Sequence, residues 1–166
     1  MKSFARMSAI RPTILHSGLC LAAMLGLALS AIPAAAQQPQ GVSADAIKWG
    51  GVPPVLPKGG QMAGMSGDPG KPGTFTVRLK MPAGYRIPPH RHPHSERVTV
   101  ISGELRFGTG DRIDDNAASR LGAGGFVDLP ANQTHYAFST VDTVIQIAGE
   151  GPFGIVYPNP NDDPSK

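Results

Sequence analysis

The residues richest in chemistry fall in two short segments. From Gly84 to Gly103 the chain reads GYRIPPHRHPHSERVTVISG, with His90 and His92 two apart and Glu96 four further on. His135 follows Pro130 downstream, and apart from His16 near the N-terminus the only other histidine is His94. Three imidazoles and one carboxylate suit a first-row divalent transition metal, whether iron, manganese, nickel, copper or zinc. Four protein ligands on an octahedral ion leave two positions for water, substrate or dioxygen. Structural zinc sites, by contrast, are closed tetrahedra that mostly use cysteine. The donor set His90, His92, Glu96 and His135 therefore points to a site that does chemistry.

Those donors need strands to aim them. On a strand, His90 and His92 project from one face, and Glu96 shares their parity across a turn near Pro93. In the run beyond, Glu96, Val98 and Val100 point inward and Arg97 and Thr99 outward. A carboxylate beside two valines is costly unless it is paired or binds a metal. His135 opens the strand THYAFS, where Ala137 and Ser139 on its own face are small and leave room for a ligand. His94 follows Pro93 and is expected behind the ligands or in solvent, and Arg91 is expected to face away. The competing reading makes HRHPH a surface metal scavenger. Substrate contacts are expected from Gln146, Arg78 and Tyr85. Gln146 interrupts the apolar run DTVIQIAG and points either into the cavity or outward, while Arg78 and Tyr85 are placed at its rim. Tyr136 and Phe138 are expected to pack between sheets.

Strand signals continue through the chain. Thr74–Met81 alternates Phe75, Val77, Leu79 and Met81 with Thr74, Thr76, Arg78 and Lys80, the mark of a half-buried strand. Runs at 97–101, 104–107, 126–129, 134–139, 143–148 and 153–157 add to the series, with Gly108–Gly125 as a polar loop. The carboxylates Asp111, Asp114 and Asp115 in that loop match no EF-hand spacing. Short strands joined by glycine- and proline-rich turns, with no sustained helical period, predict an all-β sandwich or barrel with little helix.

The termini and composition bound the rest. Lys2, Arg6 and Arg11, an apolar run from Leu19 to Ile32 and the small residues Ala34–Ala36 form a secretory signal peptide pattern, with cleavage expected after Ala36. The apolar run is shorter than the ~20 residues a membrane span requires. The segment holds three of the 15 basic residues and none of the 12 acidic ones, so the remainder is formally neutral despite a net +3 for the whole chain. That excludes a phosphate-neutralising nucleic-acid surface and leaves no membrane association after cleavage. The single cysteine, Cys20, lies in the same segment. Disulfides and thiolate chemistry are thereby excluded, and the expected location is periplasmic or secreted. Residues 37–73 read as an extended arm and loop, anchored by Trp49 and Leu56, with Met62 and Met65 covering the core. The arm could instead reach a second subunit, so a homodimer is an expectation. Residues 158–166 read as a polar tail.

The two histidine segments resemble the paired motifs of the cupin family. Gly84, His90, His92, Glu96 and Gly103 match the first motif, G-x5-H-x-H-x3-E-x6-G, throughout. Gly124, Pro130 and His135 match the second, with Asn132 standing where the family usually has glycine and Ser139 where it usually has asparagine. The resemblance spans about residues 74–157. It implies a small jelly-roll β-barrel with one metal held inside by His90, His92, Glu96 and His135. The closing GPFGIVYPNP and the WGGVPPVLPKGGQ segment also resemble small secreted bacterial cupins. The open site and the family's frequent oxygenase activity together imply a mononuclear metal-dependent dioxygenase acting on a small organic substrate, with Glu96 as proton acceptor. The alternatives are a non-catalytic small-ligand or metal-binding module and a metal-assisted isomerase or lyase, because one scaffold hosts many chemistries.

Overall fold

The alternation at Thr74–Met81 is realised as a nine-residue strand whose inward residues Phe75, Val77, Leu79 and Met81 are all buried. This strand is β3 in a computed structural model that describes residues 41–166; the expected signal peptide lies outside the described residues. The strands are β1 (Gly50–Gly51), β2 (Gln61–Ser66), β3 (Gly73–Met81), β4 (Arg86–His90), β5 (Glu96–Ser102), β6 (Glu104–Thr109), β7 (Ser119–Gly122), β8 (Phe126–Leu129), β9 (His135–Ser139) and β10 (Thr143–Gly151). Two 3-10 turns, Ala44–Ala46 and Pro160–Asp162, are the helical elements among the described residues, and no described helix is long and apolar enough to cross a membrane.

All ladders are antiparallel. One sheet runs β1-β2-β3-β10-β5-β8 and the other β4-β9-β6-β7. The all-β, jelly-roll expectation holds, as two sheets rather than one continuously hydrogen-bonded barrel. Leu79, Val98, Val100 and Ile145 of the six-stranded sheet form one core cluster with Ile87 and Leu105 of the four-stranded sheet. Each such side chain contributes about 1.5–3 kcal/mol on full burial. The turn at Gly103 between β5 and β6 has φ +78°, and a Cβ there would run into Asp142 O, so this motif position requires glycine.

Several local expectations are corrected. Residues 59–73 read as loop, yet Gln61–Ser66 forms β2 and pairs with β3; its small, glycine-rich sequence hides a strand stabilised by its neighbour. The polar loop 108–125 contains β7, which pairs with β6. Residues 153–157 make only a single bridge, Arg91 to Val156, in place of a strand. The 158–166 tail contains the Pro160–Asp162 turn, capped by Asn159. Tyr136 and Phe138 are buried, but on the opposite face of β9 from the metal-site residues, under the 110–118 loop. The Tyr136 hydroxyl donates to Asp114 O at 3.0 Å, and Arg86 lies 4.4 Å over the Phe138 ring while pairing with Asp115. The acidic loop is thus tied down through Arg86 and Tyr136. The arm anchors are in place: Leu56 is buried in the core, and Lys80 Nζ sits 4.2 Å over the Trp49 ring.

Candidate metal centre

His90 and His135 are direct cross-strand partners on β4 and β9, so their rings meet with centroids 4.3 Å apart. His92 lies just beyond β4, and its backbone carbonyl accepts from Asn132 N at 2.8 Å. Asn132 adopts φ +63°, the left-handed conformation a glycine would otherwise supply. Glu96 opens β5 in the opposite sheet, and its strand shows the expected parity, with Glu96, Val98 and Val100 buried and Arg97 exposed. The four side chains therefore converge between the sheets. All four are nearly inaccessible, at 3–6% exposure.

Each imidazole is anchored by its far nitrogen. His90 Nδ1 meets Pro88 O at 2.7 Å, His92 Nδ1 meets Gly154 O at 2.8 Å, and His135 Nδ1 meets Gln133 O at 2.9 Å. A carbonyl only accepts, so each Nδ1 must carry the proton, and in a neutral ring Nε2 is left as a bare acceptor. One ligand nitrogen from each of the three rings lies within 4.8 Å of the others, and these three histidines can hold a metal ion. Glu96 Oε2, also an acceptor when ionised, is 3.1 Å from His135 Nε2 and 3.6 Å from His92 Nε2. Neither nitrogen is aligned for a hydrogen bond, and both are buried without a partner.

Protonated rings would relieve this clash of acceptors, but at His90 and His92 burial opposes them. Burial, reinforced by the neighbouring His135 and His92, pushes His90 down to about 3. Burial also lowers His92, against the pull of Glu96. For Glu96, burial pushes the carboxyl up, but the surrounding imidazoles, His135 first, outweigh it and hold it below its ordinary value. Acceptors facing one another with no donor between them are stabilised by a cation at their centre. Anchoring ligand imidazoles through Nδ1 to fixed carbonyls is the usual way proteins orient a metal site. The donor set fits a divalent transition metal.

A cavity of about 120 Å³ opens beside His90, His92 and Glu96. The arm residues Pro53, Val55 and Leu56 form one wall, and Phe153 and Ile155 another. The remaining lining, including Met62, Phe75 and Val77, is also apolar. A smaller apolar chamber of about 30 Å³ lies on the His135 side, next to Val127, Ala137 and Ile145.

The sequence-predicted ligands all meet here, whereas the predicted substrate contacts do not. Gln146 and Arg78 are cross-strand partners on β10 and β3, and Arg78 Nε donates to Gln146 Oε1 at 3.1 Å. Both lie on the outer face of the large sheet, because Ile145 and Ile147, on either side of Gln146, take the inward positions. Tyr85 is buried in the core, where its hydroxyl donates to Pro57 O at 2.5 Å and burial pushes it up to about 12. It holds the arm and does not line the cavity. His94 is outside the ligand cluster.

Sequence reasoning missed Phe153 and Tyr157. Phe153 stacks on His92 at 4.1 Å with the rings 15° apart, and Tyr157 lies 5.9 Å from His90. The Tyr157 hydroxyl donates to Val55 O at 2.6 Å. The aromatic spacing in GPFGIVYPNP was the available signal.

Fold and site define a two-sheet β protein with an internal histidine–glutamate centre beside an apolar cavity. Residues 77–147 match the family described as cupin domain. Among solved structures, the chain is similar to the polyketide cyclase RemF of Streptomyces resistomycificus (14% identity, 77% of this chain and 91% of that one, TM-score 0.65). It is also similar to a candidate acetylacetone dioxygenase of Methylibium petroleiphilum PM1 (18%, 80% and 90%, TM-score 0.59). An RmlC-like cupin of Shewanella frigidimarina shares the fold as well (15%, 69% and 92%, TM-score 0.52). No curated protein matches. Residues 77–147 thus carry a cupin domain, and three clustered histidines can hold a metal ion.

Proposed function

We propose that this cupin is a mononuclear metal-dependent oxygenase of the dioxygenase type, acting on a small organic molecule, with His90, His92, Glu96 and His135 as the metal ligands. The observation that carries the reading is the set of inward-facing acceptors, buried without a donor, at the wall of an apolar cavity. A bound iron, manganese, nickel or copper would supply Lewis acidity and a means of activating dioxygen, and zinc the former alone. The chain's own residues do the rest. The carbonyls of Pro88, Gly154 and Gln133 hold the three rings in one tautomer. The apolar walls exclude water and so strengthen electrostatic interactions inside. Among the described residues Glu96 is the only carboxylate on the cavity wall, which makes its Oε2 the acceptor for a proton released by substrate. In this reading the chain works outside the cytoplasm after loss of residues 1–36.

The test is oxygen uptake by the protein loaded separately with each metal, using diketones, phenols and thiols as candidate substrates. Uptake with an oxidised product is expected, and none with any class refutes the oxygenase. A second reading, a module that captures a small ligand unchanged, is favoured by the lack of any proton-transfer group on the cavity wall beyond the ligands. Product analysis separates the two, and turnover without oxygen would identify an isomerase or lyase.

A further inference from the structure

The three histidines are not held in the same way. His90 and His135 are cross-strand partners, and each donates its Nδ1 proton to a carbonyl only two residues back, Pro88 O at 2.7 Å and Gln133 O at 2.9 Å. Those two rings are oriented by the strand pair β4–β9 itself. His92 lies past the end of β4, and its Nδ1 reaches Gly154 O, 62 positions along the chain, at 2.8 Å. Its ring lies flat against Phe153, with centroids 4.1 Å apart and the planes 15° from parallel. The His90 and His135 rings meet it edge-on or tilted, at 5.0 and 5.4 Å, and neither lies flat on it.

A hydrogen bond at Nδ1 sets the tautomer and pins one atom of the ring, but the plane can still rock about that point, because the second torsion of histidine is broad. A flat neighbour that is itself fixed removes that freedom. The Phe153 ring packs 4.9 Å from the ring of Phe75, a buried residue of β3, and its backbone N–H donates to Pro69 O at 2.7 Å. Further along the segment, Val156 exchanges two backbone hydrogen bonds with Arg91, the residue before His92, both at 3.0 Å. The segment 153–157 thus holds His92 through its ring and through the adjoining backbone.

We propose that Phe153 is a positioning residue for the metal centre: it fixes the plane of the His92 ring, and His92 is the one histidine whose hold on the metal depends on the segment 153–157. His90 and His135 take no orientation from that segment. The proposal rests on the metal-centre reading above but not on oxygen chemistry. A ring already fixed in the plane from which Nε2 faces the other acceptors loses no freedom when the ion binds, whereas a rocking ring must be ordered at that moment.

The experiment uses zinc as the probe, because it has no redox chemistry and is silent to substrate turnover. Phe153→Leu keeps apolar bulk but removes the flat face, and Phe153→Tyr keeps the face. Nitrogen–proton correlation spectra of the histidine rings report each ligand separately. In the zinc-loaded wild type all three rings should give sharp signals with Nδ1 protonated and Nε2 on the metal. In Phe153→Leu the His92 signals alone are expected to broaden, with those of His90 and His135 unchanged, and Phe153→Tyr should restore them. Zinc affinity, read by competition with a chromophoric chelator, should fall about tenfold in Phe153→Leu, the lower end of the loss usual for groups that orient metal ligands, and recover in Phe153→Tyr. Phe153→Met, flexible and without a flat face, covers the case where Phe153→Leu does not fold. Phe138→Leu, a buried aromatic on the opposite face of β9, controls for lost packing alone and should leave both readouts unchanged. Sharp His92 signals with full zinc affinity in the folded Leu or Met variant, broadening shared equally by the three rings, no recovery in Phe153→Tyr, or the same change in Phe138→Leu would each overturn the proposal. A wild type that binds no zinc would overturn the metal-centre reading and the proposal with it, whereas absence of oxygen uptake would refute only the oxygenase.

Discussion

In the metal-free protein, lowering the pH should destabilise the fold in a window set by its buried histidines. In the unfolded chain His90 titrates at its ordinary 6.5, but in the fold burial and the neighbouring rings hold it neutral down to about 3. A histidine that must stay neutral to remain folded leaves stability intact above pH 6.5. That stability is lost progressively as pH falls, because the unfolded state binds the proton and the native state does not. The separation of about 3.5 pH units corresponds to about 5 kcal/mol at 1.36 kcal/mol per unit, a large part of the 5–15 kcal/mol typical of a whole domain. By pH 5 the loss from His90 alone is about 2 kcal/mol. His92, also lowered by burial, adds in the same direction. Glu96 is held low, so its contribution is present above 4.5 and fades only as pH falls through its lower folded value. Between pH 7 and pH 5 the histidines therefore act without it.

The assay is urea unfolding of the chelator-treated protein across that range. With a slope of about 1–3 kcal/mol per M for a small domain, a loss of about 2 kcal/mol lowers the midpoint by about 1 M. His90→Gln should remove about 2 kcal/mol of the stability change between pH 7 and pH 5. A midpoint that does not move between pH 7 and pH 5, or a His90→Gln protein that keeps the full dependence, would show that these rings are not buried as described.

Other consequences are simpler to check. His92→Ala or His135→Ala should abolish stoichiometric metal in elemental analysis, whereas His94→Ala should leave it unchanged, because His94 is outside the cluster. Arg78→Ala and Gln146→Ala should leave ligand affinity as it is and cost at most about 1 kcal/mol, since their mutual hydrogen bond lies on the outer face of the large sheet. Tyr157→Phe deletes the bond to Val55 O; a loss of about 1 kcal/mol in thermal or urea stability is expected, together with faster ligand release as the arm loosens. Gly103→Ala places a methyl against Asp142 O at positive φ, and should lower stability by about 1–3 kcal/mol.

What could be read from the sequence divides along a physical line. The candidate donors His90, His92 and Glu96 were legible because their arrangement is local, and His135, 39 positions beyond Glu96, through its resemblance to the second cupin motif. His90 and His92 share a face by spacing, Glu96 stands out as a carboxylate in phase with Val98 and Val100, and β3 declares itself by strict alternation. The strand β2 was not legible, because Gln61–Ser66 has no alternation of its own and is a strand only by pairing with β3. Gln146 illustrates the same limit. A single polar residue between two isoleucines admits either face, and the outward answer came from its pairing with Arg78 across the sheet. The cavity walls are more non-local still: Tyr157 and Val55 meet across 102 positions, and Tyr85 reaches back to Pro57. A candidate donor set needs only a few side chains, three of which here are near in sequence. A cavity recognises a substrate through the surfaces that distant segments bring together. A candidate metal site was therefore open to inference from residue types, spacing and a family resemblance, while the surroundings of that site became visible only when the arm and the 153–157 segment were seen to line the cavity beside the histidines with apolar side chains.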